Sequence, residues 1–227
     1  MAEQDAQTAA ERQGYGVVVP AFNAARTLHA ALDSILAQTV AAAAVIVVDD
    51  GSTDSTARIA TTFGPPVRVV SQDNRGPADA TDRGWAELDT PLLAALDADD
   101  LWRPDKAERQ IAALAASPGL DGVFCRATVF AHGSDPAAAS RTQDLWGRSA
   151  IMIRREAALR LGPVQAAGGG RELGEMIRWI DRGRRLGLVF RMMPEILADR
   201  RIIPGSLSHG RTASALLSVV RDRLRNP

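Results

Sequence analysis

What the chain lacks narrows it first. It has one cysteine in 227 residues, which excludes a disulfide framework, and Cys125 reads as a small buried hydrophobe. Lys106 is the only lysine, so almost all basic residues are arginine. With the many alanines this reads as coding bias rather than function. The formal net charge is zero, which removes any global electrostatic case for nucleic acid or for a charged membrane surface. The longest uncharged apolar stretch, around Val40 to Val48, is far short of the roughly 20 residues a spanning helix needs. The first 13 residues are polar and contain no apolar signal region, so a cytoplasmic setting is the default expectation. Hydrophobic content of 46% and charged content of 24% exclude wholesale disorder and allow one sizeable core.

What is present alternates. YGVVVP (15–20), AVIVVDD (44–50), VRVVS (67–71) and PLLAALD (91–97) are short apolar runs. Segments with helical spacing separate them: 26–38, the stretch after GSTD, and 75–88. A strong helix is expected over 103–117, with Pro104 at its first position. Ser52 or Thr53 is the expected cap of the second helix. Strands without polar alternation, joined by helices, predict a mostly parallel central sheet in a three-layer α/β/α arrangement. The second half is less regular. Strands are expected at 122–130, 149–153, 188–193 and 196–203, a helix at 172–185, and a short amphipathic helix at 214–224.

In such sheets ligands bind beyond the carboxyl ends of the strands. Three polar clusters fall there: PAFN (20–23), DDGSTD (49–54) and DADD (97–100). Asp97 and Asp99 suit a hard divalent cation such as Mg²⁺, which takes one or two carboxylates from a protein. Asp100 alone could instead cap the helix that follows. Adjacent aspartates after a strand also occur in response-regulator receivers. Those need a lysine at the end of a later strand, and Lys106 lies inside a helix segment. No GxGxxG follows the first strand, so a dinucleotide site is a poor fit.

Four blocks, VVVPAFNAARTLHAALDSILAQT, VIVVDDGSTDSTARIA, NRGPADATDRGWA and LLAALDADDLWRPDKAERQ, together resemble a family 2 inverting glycosyltransferase of the GT-A type. They run in order across Gly16–Leu114, about half the chain. The resemblance implies a nucleotide-diphosphate sugar donor, most often a uridine one, Mg²⁺ or Mn²⁺ as cofactor, and transfer with inversion. It implies a donor half over residues 14–117 and an acceptor-side half of the same domain over 118–210. Residues 1–13 and 211–227 would then be a tail and a C-terminal helix. Pro20, Ala21, Phe22 and Asn23 would wall the base pocket, and Asp50 would accept a hydrogen bond from the base. Asp97, Ala98, Asp99 and Asp100 would hold ribose and metal, and Trp102 would close the apolar side of the sugar.

The chain also departs from the family. Thr81 and Asp82 replace the usual Arg and Asn of the third block. Met176 stands where the general base is usually Asp, which leaves Glu175, or Glu172 one turn earlier, as the base. Ile203 stands where a His often approaches the metal, with His209 a few residues later. These departures keep a second reading open: a catalytically impaired sugar-nucleotide-binding or scaffold protein on the same fold. A nucleotidyltransferase is a third, with Arg26 the candidate over the α-phosphate. The acceptor is expected to be a small molecule, a peptide or a lipid-linked intermediate. No nucleic acid partner is expected, and the lack of spans argues against a processive polysaccharide synthase.

Overall fold

A computed structural model describes residues 14–164 and 174–203. The expected tail at 1–13, the helix at 214–224, Glu172 and His209 lie outside the described residues. One nine-stranded sheet runs through both halves of the chain, in the order β3-β2-β1-β4-β8-β6-β9-β5, with β7 paired to β6.

Strands β1 (Tyr15–Ala21) and β2 (Ala44–Asp49) are buried at every position. This is why their sequences are continuous apolar runs: helices cover both faces of a parallel sheet. Strands β3 (Val67–Ser71) and β4 (Leu92–Ala95) pair in parallel with β2 and β1 respectively. Helices α1 (Leu28–Leu36) and α2 (Thr56–Thr61) touch each other, as right-handed crossovers toward β3 require. Helix α3 (Pro77–Ala86) carries the chain across to β4 and packs on β1 and β2. It sits so close that a Cβ on Gly84 would lie 2.5 Å from Val18 Cγ1. After α1 and α2 the chain builds outward to β3, and after α3 it builds to the other side of β1. The reversal is a topological switch point at the carboxyl end of β1, where ligand crevices form in open α/β sheets.

The structure differs from expectation in several places beyond β4. Trp102 lies in a two-residue strand, β5 (Leu101–Trp102), which pairs with Ala198 and Asp199 and was not foreseen. Helix α4 (Lys106–Ala116) starts three residues later than expected, after Asp105, and leaves Pro104 outside. The two strands expected at 188–193 and 196–203 form one, β9 (Phe190–Ile202). It survives Pro194 through a bulge: the register with β6 (Gly122–Ala131) moves from Phe124–Met192 to Arg126–Ile196. The proline therefore falls where no ladder hydrogen bond is required. Strands β7 (Thr142–Asp144) and β8 (Met152–Arg154), then helices α5 (Arg155–Leu161) and α6 (Glu175–Arg185), complete the described residues. β8 runs antiparallel to β4 and β6, and β5 antiparallel to β9, so the parallel pairs are those from β3 to β4 and the β6–β9 pair.

Candidate active site at the switch point

The base-side wall is built by the turns after β1 and β2. Pro20 and Ala21 are buried in the strand, and Ala21 pairs with Asp49. Phe22 follows at the strand end and is 47% exposed, so its ring is open to a ligand. Asn23 adopts a left-handed backbone, with φ 49°, which its short polar side chain tolerates. Its side-chain oxygen is used within the protein. Its Oδ1 accepts from the Thr53 amide at 2.9 Å and the Thr53 hydroxyl at 3.3 Å. The Asn23 amide donates to Ser52 Oγ at 2.9 Å, Ala24 N to Thr56 Oγ1 at 2.8 Å, and Ala25 N to Asp54 Oδ2 at 3.1 Å. Ser52 and Thr53 thus tie the two turns together. They do not cap α2, whose flanking residue is Ser55.

Asp50 has internal partners as well. Its carboxylate is buried and accepts three internal hydrogen bonds: Gln72 Nε2 at 2.9 Å, Arg75 N at 2.8 Å and Gly76 N at 2.8 Å. It organises the loop that leads into α3. A buried carboxylate needs such donors more than a base needs an acceptor.

The acid centre lies beyond β4. Asp100 is not a helix cap, because Asp105 flanks α4. Both Asp100 oxygens are engaged: Oδ2 accepts from the Ser149 hydroxyl at 2.6 Å and Oδ1 from the Arg201 amide at 2.8 Å. Burial first, then the charges of Asp99 and Asp97, push its carboxyl well above the usual range. With both oxygens hydrogen-bonded, Asp100 positions the turn. Burial and the charge of Asp97 push the Asp99 carboxyl up to about 6. The Asp99 carbonyl accepts from Arg201 Nε at 2.7 Å, which fixes the backbone of the turn.

Trp102 belongs to the core rather than to the sugar site. It is 4% exposed, its indole N–H donates to the Ser149 carbonyl at 2.7 Å, and Lys106 Nζ lies 3.9 Å from its ring centroid. An indole so enclosed has no face left for a sugar.

Arg148 is the residue that sequence reasoning missed. It lies in the turn Arg148–Ala150 before β8. Its Nε donates to Asp97 Oδ1 at 2.6 Å, and its Nη1 donates to Glu175 Oε1. Its side chain is only 13% exposed. Burial works against its charge, but the Asp97 and Glu175 carboxylates overcome this and hold the guanidinium charged. Glu175 opens α6 after Gly174, whose φ of 85° turns the chain into the helix. The charge balance was the one signal in the sequence: three carboxylates at a strand end call for a cation.

The residues that depart from the family pattern have structural uses. Thr81 is fully buried and its hydroxyl donates to the Pro77 carbonyl at 2.7 Å. Asp82 Oδ1 accepts from Val164 N at 2.7 Å. Met176 is a core residue. Among the described residues no three His, Cys, Asp or Glu side chains converge on a metal position. Asp97 and Asp99 sit side by side at this turn with Asp100, and a raised carboxyl beside a second carboxylate fits a hard cation of few protein ligands. No described helix is long and apolar enough to cross a membrane.

The sequence matches the model of the family described as glycosyl transferase family 2 over residues 16–164. The succinoglycan biosynthesis proteins ExoO and ExoU of Rhizobium meliloti are 43% and 42% identical over 96 and 103 residues. Those stretches are 41% and 44% of this chain, but 28% and 30% of the two relatives. The chain thus spans less than a third of their length. Among solved structures, a mannosyltransferase from Pyrobaculum calidifontis in complex with GDP-Man and Mn²⁺ superposes with a TM-score of 0.70 at 20% identity. The match covers 95% of this chain and 65% of that one. TarS of S. aureus in complex with UDP-GlcNAc gives 0.68 at 15% identity, over 86% of this chain and 60% of that one. These likenesses show the fold to be the GT-A type that the sequence blocks implied. With the family's pattern matched over most of the sheet and the switch point lined by its motifs, this chain belongs to glycosyl transferase family 2.

Proposed function

We propose that this chain transfers a sugar from a nucleotide-diphosphate donor to an acceptor hydroxyl, with inversion at the anomeric carbon. The observation that carries the reading is the pair of contacts made by Arg148. One guanidinium joins Asp97, at the end of β4, to Glu175, at the start of α6. The acid centre and the candidate base are therefore held by one side chain.

Phe22, with the backbone of Pro20 and Ala21, offers the wall for the base. Asp97 and Asp99 would hold Mg²⁺ or Mn²⁺, which supplies Lewis-acid stabilisation of the departing diphosphate. Glu175 keeps one oxygen, Oε1, on Arg148 and presents the other to the acceptor. The acceptor oxygen attacks the anomeric carbon, Glu175 takes its proton, and the bond from that carbon to the β-phosphate oxygen breaks. The names of the structural neighbours make uridine and guanosine donors the first to try. The succinoglycan relatives make a saccharide acceptor, free or lipid-linked, the first class to screen.

A second reading, donor binding without turnover, is favoured by Met176, which takes the usual Asp position into the core. One experiment separates them: release of nucleoside diphosphate from a panel of sugar nucleotides with Mn²⁺, for the native chain and Glu175→Gln. Transfer that falls at least about a hundredfold in the variant, with donor affinity retained, supports the enzyme. Donor binding with no transfer to any acceptor supports the second reading. No binding of any sugar nucleotide would sink both.

A further inference from the structure

The guanidinium of Arg148 has one arm to spare. Its Nε is engaged by Asp97 and its Nη1 by Glu175, while Nη2 makes no hydrogen bond among the described residues. Arg201, the other cation at this turn, is already committed. Its Nε donates to the Asp99 carbonyl, and its guanidinium carbon lies 4.6 Å from the Phe130 ring centroid. Arg75, on the base-side loop, pairs with Asp79. Thr81, at the position where the family usually has arginine, is fully buried and bonded to its own helix.

The partner of that arm has a defined chemistry. The two carboxylates already meet the charge of the guanidinium, so what Nη2 adds is directed N–H donors. Those donors suit the oxygens of a phosphate, which a guanidinium binds through directed hydrogen bonds. Its place in the site is fixed by the two carboxylates: Asp97 on the side of the metal and Glu175 on the side of the acceptor. Between a donor's nucleoside and its acceptor lies the diphosphate. On the donor reading given above, we propose that Arg148 is a catalytic residue whose free Nη2 edge binds the diphosphate of the donor and stabilises it as it leaves. The aspartate and glutamate act as its brackets. They hold the fork in one orientation, so that little side-chain entropy is lost when the phosphate arrives. Charge developing on the bridging oxygen as the anomeric bond breaks then meets a preorganised donor.

The inference predicts that the chain senses the second phosphate without metal. Calorimetry of the full chain with UDP, UMP, GDP and GMP, in EDTA and again in Mn²⁺, tests this. In EDTA the native chain is expected to prefer the diphosphate of its own base about tenfold or more over the monophosphate. Arg148→Ala is expected to abolish that preference while monophosphate affinity stays within about twofold. Arg148→Lys keeps the charge but not the fork, and is expected to fall between the two. Should Arg148→Ala fail to fold, as judged by thermal melting, Arg148→Lys carries the test: an unchanged preference overturns the inference. So does a preference that survives in Arg148→Ala, or a parallel loss of monophosphate affinity. Equal binding of mono- and diphosphate by the native chain in EDTA overturns the inference but leaves the donor reading intact. No nucleotide binding in either buffer overturns both.

Discussion

The indole N–H of Trp102 donates to the backbone carbonyl of Ser149 at 2.7 Å. A core side chain thereby holds the turn whose first residue is Arg148 and whose second is Ser149. The same turn is gripped again by Gln110, whose Nε2 donates to the Ala150 carbonyl at 2.7 Å. Two buried side chains thus set the position of the arginine that joins Asp97 to Glu175. Trp102→Phe keeps most of the ring volume and removes the donor. The Ser149 carbonyl would be left buried and unpaired, at about 1–3 kcal/mol. The expected outcome is a lower denaturant midpoint with unchanged slope. Transfer should weaken more than base binding, because Phe22 is untouched. Equal losses in nucleoside affinity and transfer would show that Trp102 serves the base wall instead.

Ser149→Ala tests the acid centre directly. The hydroxyl donates to Asp100 Oδ2 at 2.6 Å and accepts from the Asp97 amide at 3.2 Å. Removing it frees one Asp100 oxygen and loosens the backbone of Asp97. Groups that orient a metal's carboxylates typically change affinity or activity by about 10–100-fold when removed. Mn²⁺ dependence of donor binding, followed by electron paramagnetic resonance of the free ion, should shift by about that factor. An unchanged Mn²⁺ isotherm would separate Ser149 from metal binding.

Asp50→Asn contrasts with Asp49→Asn one residue earlier. Asp50 receives three donors, two of them backbone amides. An asparagine offers one oxygen and turns an NH₂ toward at least one of those amides. The loop at 72–76 would lose its anchor at about 1–3 kcal/mol. Asp49 Oδ1 accepts only the Ser52 amide, at 3.3 Å, among the described residues, so its variant should lose less. Melting temperatures of the two variants decide it, and the reverse order would refute the assignment of Asp50 as the organiser.

How far the sequence foretold this molecule depends on range. Strands β1 and β2 were legible because burial on both faces removes polar residues from every position. The placement of PAFN, DDGSTD and DADD at one edge followed from parallel topology alone. The roles of individual side chains were less legible. Asn23, Asp50 and Asp100 have the chemistry of ligand contacts, but their oxygens are engaged by amides and hydroxyls that only folding brings near. Arg148 meets Asp97 across 51 positions, and nothing local in DLWGRSA marks it. The mixed half of the sheet was hardest, because β5 has two residues and β9 passes through a proline, where local pattern and tertiary pairing disagree.

Lys106, the only lysine, is fully buried, with its Nζ 2.6 Å from Gln110 Oε1 and stacked on Trp102. Burial lowers its pKa to about 8, with the Cys125 thiolate form working weakly the other way. The folded state therefore binds this proton less tightly than the unfolded chain, whose lysine titrates near 10.5. Between about pH 8 and 10.5 the unfolded chain holds the proton and the folded chain has released it, so this group makes stability rise with pH across that window. Below pH 8 both states are protonated and the penalty is fully present, of order 3 kcal/mol. Lys106→Met keeps the stem's packing and removes the charge, at the loss of one hydrogen bond to Gln110 and of the stacking on Trp102. Those losses are about 1–2 kcal/mol. The smaller loss set against the larger penalty leaves the variant more stable than the native chain at pH 7 by roughly 1 kcal/mol. Above pH 10.5 the advantage should vanish. Urea denaturation of both proteins at pH 7, 9 and 10.5 measures the difference. A gap that stays constant with pH would show that the buried amine carries no protonation penalty, and that its contacts with Gln110 and Trp102 set the stability of this corner of the core.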